Sequence, residues 1–181
     1  MTRVLVLCTA NQCRSVMTAA LLQSRLAAAG IRASVRSAGL RGGGLPPSPE
    51  AVAAMAARGL DVSGHRSRAL AADDLAATDL ILAMAREHLR HAVVLLPPAW
   101  PRAFTLRELV RRGELAGARQ PGEDMAGWLG RAHAGRQRSA LLGDSAGDDI
   151  ADPAGGPLQL CTATADLLDD LLARLIPLAW G

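Results

Sequence analysis

The residues most able to carry chemistry lie in one stretch near the N-terminus, Cys8-Thr9-Ala10-Asn11-Gln12-Cys13-Arg14-Ser15. A cysteine thiolate is a nucleophile, and the planar guanidinium of an arginine six positions later can hold two phosphate oxygens. The residues between Cys8 and Arg14 can turn their backbone N–H groups inward and form a nest for an anion. The pair alone is a weak signal in a chain with 3 cysteines and 20 arginines, so its meaning depends on its surroundings.

The elements on either side give this stretch a position. Arg3 to Leu7 is a short apolar run rich in valine, which predicts a buried parallel strand. We expect Ser15 to cap a helix that runs to about Ala29, with Gly30 as its C-terminal cap. The stretch then lies between the carboxyl end of a strand and the amino end of a helix, where α/β proteins bind anions. The helix dipole and Arg14 would favour the thiolate form of Cys8.

One candidate proton donor for a leaving group occurs late in the chain, in the pair Asp152-Pro153. Proline fixes the backbone after the aspartate, which helps to aim a carboxyl group from a loop. An Asp-Pro pair is also an ordinary turn. Its place just before the last helix, which begins at Gly156-Pro157, favours the catalytic interpretation.

The remaining chain alternates strands with helices. Further strands are predicted at residues 31–37, 79–84 and 93–96, and helices at 49–59, 105–112, 124–142 and from 157 onward. Such alternation is typical of a parallel sheet that is covered on both faces. We therefore predict a single α/β domain over residues 1–181, with three α/β/α layers around a four-stranded parallel sheet.

Composition argues against several functional classes. Of 181 residues, 50% are hydrophobic and 20% charged, with a net charge of +3. The arginines are interspersed with acids and aromatic residues are scarce, which predicts no nucleic-acid partner. No apolar run reaches the roughly 18 residues of a membrane span, and three cysteines do not make a disulfide scaffold. We expect a cytoplasmic protein without a membrane partner or cofactor. His88 and His91 lack a third ligand, so no metal site is predicted.

At this point the chain resembles the low-molecular-weight protein tyrosine phosphatases. The resemblance rests on VLVLCTANQCRS with its Cys-x5-Arg-Ser pattern, on DIADP with its late Asp-Pro, and on the segments SAGL, HRSRAL and DLILAM. It covers residues 3–96 and 148–176. It implies a four-stranded parallel sheet between helices and a phosphomonoester hydrolase that acts through a cysteinyl-phosphate without a metal.

The resemblance also implies roles for individual residues. Cys8 would be the nucleophile and Arg14 the phosphate clamp, while Ser15 would stabilise the departing thiolate. Asp152 would protonate the leaving oxygen and then activate water. The phosphate would be bound by the loop residues Thr9, Ala10, Asn11, Gln12, Cys13 and Arg14.

Further family features concern support and redox chemistry of the loop. Asn11, Ser37 and His65 match residues that hold the loop in shape. Cys13 matches a second thiol that can trap Cys8 as a reversible disulfide.

The chain departs from the family pattern at several positions. Ala10 replaces a usual glycine, and Val16 replaces a common proline. Gln12 puts an amide in the pocket wall, and Ala154-Gly155 stand where many relatives carry aromatic residues. The segment 97–147 is extended, and we expect it to be lid-like.

These departures keep alternatives open. Phosphotyrosine on a protein is the family default, whereas the missing aromatics and the extra segment favour a small-molecule phosphate. A phosphate-binding module without catalysis is the alternative from another class, although Cys8, Arg14 and Asp152 are all present. The oligomeric state and the role of residues 113–147 stay open.

Overall fold

A four-stranded parallel sheet forms the centre of the computed structural model, which describes all 181 residues. The strands are β1 (Thr2–Cys8), β2 (Ala33–Gly39), β3 (Leu80–Ala83) and β4 (Ala103–Thr105), in the order β2-β1-β3-β4. β1 pairs with β2 over its full length, so Cys8 lies opposite Gly39. The predicted four-stranded parallel architecture is confirmed.

Helices cover both faces of this sheet. They are α1 (Arg14–Ala28), α2 (Pro49–Ala56), α3 (Ala72–Ala76), α4 (Arg86–Leu95), α5 (Leu106–Ala116), α6 (Met125–His133) and α7 (Leu158–Ala179), with short 3₁₀ turns at Pro97–Arg102 and Arg138–Leu141. None of these helices is long and apolar enough to cross a membrane.

Alternation along β1 divides the core between the two faces. Val4 and Val6 pack into a cluster with side chains of α1, α2 and α5–α7, whereas Leu5 and Leu7 pack with α4 on the opposite face. All four side chains are at most 2% exposed. A strand buried on both faces explains the continuous apolar run.

The predicted fourth strand at residues 93–96 is wrong. Val93, Val94 and Leu95 belong to α4, in which Leu89, Ala92 and Val93 face the core at helical spacing. Val94 is 80% exposed, which a central strand would not tolerate. The true fourth strand is the three-residue β4. The helix predicted at 124–142 is α6 alone, and the 3₁₀ turn at Arg138–Leu141 follows it after a break.

The start of the first helix also differs from the prediction. α1 begins at Arg14, one residue before the expected cap, and Cys13 occupies the capping position without a side-chain hydrogen bond. Ser15 lies inside the first turn, and its hydroxyl turns towards Cys8 instead. Gly30 follows the helix with a φ of +70°, as a C-terminal glycine should.

Candidate active site

Cys8 ends β1, and its thiol meets two polar groups of the loop that follows. Its Sγ lies 2.9 Å from Ser15 Oγ and accepts from the backbone N–H of Asn11 at 3.3 Å. Cys8 is 3% exposed, so these contacts are made away from water. Donors at a buried sulfur stabilise negative charge that develops on it.

Asn11 holds the loop with its backbone and its side chain. Its φ of +54° is the only left-handed value among the non-glycine residues. Its Nδ2 donates to Ser37 Oγ at 2.8 Å and to Ser15 Oγ at 3.0 Å, and its Oδ1 accepts from the Arg68 N–H. His65 Nε2 lies 2.9 Å from the Asn11 carbonyl oxygen. The structure thus brings Asn11, Ser37 and His65 together.

Glycine is needed beside the loop, not at Ala10 within it. Ala10 is exposed and has no left-handed φ, so its backbone conformation does not require glycine. A Cβ on Gly39 would instead lie 2.7 Å from the Thr9 carbonyl oxygen and 2.9 Å from the Asn11 nitrogen. Gly39 therefore lets the end of β2 approach the loop backbone, a role that sequence reasoning missed.

Arg14 occupies the inner wall of the loop and contacts the candidate acid. Its Nη2 donates to Asp152 Oδ2 at 2.7 Å and to Thr9 Oγ1 at 3.3 Å, and its Nη1 donates to the Ile150 carbonyl oxygen at 2.9 Å. Its side chain is 5% exposed, and its buried Nε has no partner. A buried cation with a spare donor is suited to an oxyanion.

The loop that carries Asp152 is tied to the turn between β3 and α4. The Arg86 N–H donates to Asp149 Oδ1 at 2.7 Å, and the Arg86 guanidinium donates to Asp148 Oδ2 at 2.7 Å. Burial works to raise the pKa of Asp148, but Arg111 and Arg86 hold it below its usual value. Asp148 therefore stays ionised, and its ion pairs hold in place the loop that leads to Asp152. The Asp152 side chain itself is half-exposed.

Gln12 and Cys13 make side-chain contacts with groups other than Cys8. Gln12 Nε2 donates to the Pro46 carbonyl oxygen at 2.8 Å and so ties the loop to its neighbour. Cys13 Sγ lies 3.8 Å from Cys161 Sγ, a pairing that the sequence did not suggest. Burial raises the pKa of both thiols.

His88 contributes to the site, although in the sequence it stands out only for its spacing to His91, which two metal ligands could share. His91 is exposed, whereas His88 is fully buried with Nε2 3.0 Å from Thr9 Oγ1. No group of three or more metal-binding side chains occurs in the chain.

A buried thiol at the start of a tight loop, a buried arginine with a spare donor and a nearby carboxylic acid, all on a parallel α/β sheet, form the arrangement of a cysteine-dependent phosphatase. A sequence model of the low molecular weight phosphotyrosine protein phosphatase family matches residues 3–120. The chain belongs to this family.

Relatives and solved structures agree with that assignment. The chain is 30% identical over 174 residues to the protein-arginine-phosphatase of Geobacillus stearothermophilus, covering 96% of this chain and 93% of that protein. It is 39% identical over 95 residues to the low molecular weight protein-tyrosine-phosphatase Etp of Escherichia coli K12, covering 52% and 62% of the two. The crystal structure of the low molecular weight protein tyrosine phosphatase from T. tengcongensis superimposes with a TM-score of 0.73 at 31% identity, over 97% of this chain and 98% of that one.

Proposed function

We propose that this protein removes phosphate from phosphorylated proteins, with Cys8 as nucleophile, Arg14 as phosphate clamp and Asp152 as general acid. The main support for this proposal is the set of contacts that the Arg14 side chain makes. One buried guanidinium contacts both the Asp152 carboxylate and the loop that starts at the Cys8 thiol. Metal-free phosphoryl transfer needs these three groups within reach of one phosphate.

The first chemical step forms a bond between Cys8 Sγ and phosphorus. Phosphate oxygens compete with Asp152 for the Arg14 donors, which frees the carboxyl group to turn towards the leaving atom. The bond from phosphorus to the leaving group breaks, its electron pair stays with that group, and Asp152 supplies the proton. The loop N–H groups of residues 9–14 hold the equatorial oxygens.

The second step reverses these roles. The Asp152 carboxylate takes a proton from water, whose oxygen attacks phosphorus while the S–P bond breaks. The Cys8 thiolate leaves, and the Ser15 hydroxyl at 2.9 Å donates to it. Inorganic phosphate is the product, and Asp152 is again protonated.

Two aryl phosphates test these roles, with chelator present. Cys8→Ser should abolish hydrolysis of p-nitrophenyl phosphate and of phenyl phosphate. Asp152→Asn should slow phenyl phosphate by about 10²–10⁴-fold and p-nitrophenyl phosphate much less, because nitrophenolate leaves without a proton. Asp144→Asn, at an exposed loop position, serves as the matched control. Activity that persists in Cys8→Ser contradicts the mechanism, and equal losses on both substrates contradict the role of Asp152.

Phosphotyrosine is the default substrate, and phosphoarginine is a second candidate with specific support. All four aromatic side chains, Trp100, Phe104, Trp128 and Trp180, are at most 9% exposed, so none is available to stack on a tyrosine ring. Relatives named for either substrate match over nearly the whole chain, the arginine phosphatase at 30% identity and the T. tengcongensis tyrosine phosphatase at 31%, so similarity does not decide between the two. Peptides of one sequence carrying either phosphorylated residue would separate the two candidates.

The unpaired thiols support a reducing compartment. Cys8, Cys13 and Cys161 are all free, and catalysis by Cys8 depends on its staying reduced. We therefore propose that the protein works in the cytoplasm. Fractionation of the source cells, with phosphatase activity as the readout, tests this location.

A further inference from the structure

A second carboxylate lies beside the phosphate loop, in addition to Asp152. Glu87 is the second residue of α4, and its Oε1 lies 3.4 Å from Thr9 Oγ1 and 3.1 Å from His88 Nε2. Thr9 directly follows the proposed nucleophile Cys8 in the chain. The Glu87 side chain is 52% exposed, so its charge is open to any group bound at the mouth of the loop.

The donors and acceptors around Thr9 fix the direction of each hydrogen bond. Arg14 Nη2 can only donate, so Thr9 Oγ1 accepts from it. His88 Nε2 lies 3.0 Å from the same oxygen and 3.1 Å from the Glu87 carboxylate. An unprotonated Nε2 is a hydrogen-bond acceptor, and so is the Glu87 carboxylate that it faces. Nε2 must therefore carry the proton. The Thr9 hydroxyl proton is then directed to Glu87.

His88 holds this arrangement without neutralising it. Its Nδ1 is buried and has no partner, which fits a ring protonated at Nε2 alone. Burial, followed by the positive charge of Arg14, lowers the pKa of His88 to about 4. The imidazole is therefore neutral at pH 7, and the charge of Glu87 is not cancelled by its neighbour. The mouth of the loop thus presents two carboxyl groups around one clamping arginine: Asp152, the proposed proton donor, and Glu87, which carries the negative charge.

We propose that Glu87 is a specificity-determining residue that favours a leaving group which becomes a cation, as the guanidinium of arginine does, over a phenol. Thr9 and His88 are the positioning residues that hold its carboxylate at the mouth. This inference rests on the proposed phosphatase function and deepens it, since it names the chemistry that decides between the two candidate substrates.

The two leaving groups differ by one unit of positive charge at the same stage of proton transfer. When the P–N bond of phosphoarginine breaks, nitrogen keeps the electron pair and, with the proton from Asp152, the product is a guanidinium cation at neutral pH. When the P–O bond of phosphotyrosine breaks, the electron pair stays on a phenolic oxygen, which is negative until the proton arrives. A carboxylate at this distance therefore favours the first transition state relative to the second.

The test compares kcat/KM on two peptides of identical sequence, one with phosphoarginine and one with phosphotyrosine. Glu87→Gln keeps the shape and removes the charge, so the arginine-to-tyrosine ratio should fall by about tenfold. Asp73→Asn is the matched control. Asp73 is exposed on α3 near Met1 and Arg3, at the amino ends of the strands and away from the phosphate loop. The Asp73→Asn protein should have the same arginine-to-tyrosine ratio as the native protein.

Salt dependence gives a second readout that a merely structural role would not move. Raising the ionic strength screens the exposed Glu87, so the native ratio should fall with salt, whereas the ratio of Glu87→Gln should depend on salt much less. An unchanged ratio in Glu87→Gln, or a native ratio that is independent of salt, overturns the inference. A native protein that is active on phosphotyrosine and inert on phosphoarginine also overturns it, while the proposed function stands. A protein inert on both peptides and on p-nitrophenyl phosphate overturns the proposed function itself.

Discussion

Single residues of the phosphate loop show how far sequence reasoning reaches. The positions of Cys8, Arg14 and Ser15 follow from a motif, because a fixed spacing in a tight loop fixes the geometry. The contact between Arg14 and Asp152 joins residues 138 positions apart. The place of the Asp-Pro pair before the last helix and the family resemblance both suggested Asp152, but no local pattern shows the contact. Glu87 and His88 carried no motif for this role, since the turn after β3 brings them to Thr9 only in the folded chain.

His88 gives a prediction for stability against pH. Its pKa is lowered to about 4 in the folded protein and is about 6.5 in the unfolded chain. The unfolded chain therefore takes up a proton first as the pH falls, and the contribution of neutral His88 to stability is lost between pH 6.5 and 4. That loss is roughly 3 kcal/mol.

Chemical denaturation at pH 7 and at pH 4 measures this contribution. The stability advantage of the native protein over His88→Gln should shrink by roughly 3 kcal/mol across that interval. His91→Gln, which changes an exposed histidine of the same helix, should keep a constant difference from the native protein. Equal pH dependence of the native protein and His88→Gln would show that burial does not hold His88 neutral.

At the scale of elements, residues 93–96 show why a short apolar run misleads. A run of four apolar residues fits a buried strand and one turn of a buried helix equally well. The surrounding burial decides, since Leu89, Ala92 and Val93 form one face of α4. The true β4 has only three residues, and its place in the sheet comes from pairing with β3, which no local pattern shows.

The end of β2 carries a prediction about the loop. The Cβ of Gly39→Ala would lie 2.6 Å from the Arg41 carbonyl oxygen and equally close to the loop backbone at Thr9. Since backbone atoms must move, we expect a loss of about 1–3 kcal/mol in stability together with a lower kcat. Gly130→Ala in α6 is the control, because its Cβ meets nothing within 4 Å. Thermal unfolding and p-nitrophenyl phosphate turnover check both variants. A Gly39→Ala protein with native kcat would mean that the loop does not depend on this close approach.

The three cysteines lie where β1, α1 and α7 meet, and they give a prediction about oxidation. Peroxide should oxidise the Cys8 thiolate to a sulfenic acid, and the Cys13 sulfur should then displace water to form a Cys8–Cys13 disulfide. Peptide mapping by mass spectrometry should find this link, and dithiothreitol should restore activity. Cys13→Ser should lose activity irreversibly under the same treatment. A Cys13–Cys161 disulfide, at a starting separation of 3.8 Å, is the competing product whose dominance would refute the prediction.

At the scale of the whole molecule, residues 113–147 are the part of the chain that sequence patterns place least well, since the helix predicted at 124–142 covers only α6 in the structure. Their glycine, arginine and alanine content has no clear apolar period, and their structure depends on contacts with distant elements. Trp128 is fully buried and its Nε1 donates to the Gly117 carbonyl oxygen. The lid-like role of the segment 97–147 stays a prediction. Within that segment, β4, α5 and α6 all contribute buried side chains to the core.

One buried ion pair joins two distant parts of the segment 97–147. The Arg136 guanidinium lies between the rings of Trp100 and Phe104, at 3.7 and 3.9 Å from their centroids. It also donates to both oxygens of Glu108, at 2.7 and 2.8 Å. Removing one partner of a buried pair leaves the other charge without compensation, which typically costs 3–5 kcal/mol.

Arg136→Met should therefore lower the free energy of unfolding by about 3 kcal/mol, the lower end of that range because Arg112 also contacts Glu108. Arg174→Met breaks an exposed pair with Glu114 and should cost at most about 1 kcal/mol. Urea denaturation measures both, and adding Glu108→Leu to Arg136→Met should recover part of the loss, since no unpaired charge then remains buried. Similar costs for the two arginines would mean that burial adds nothing at Arg136. Because the pair lies outside the phosphate loop, kcat on p-nitrophenyl phosphate should stay near the native value wherever the variant is folded.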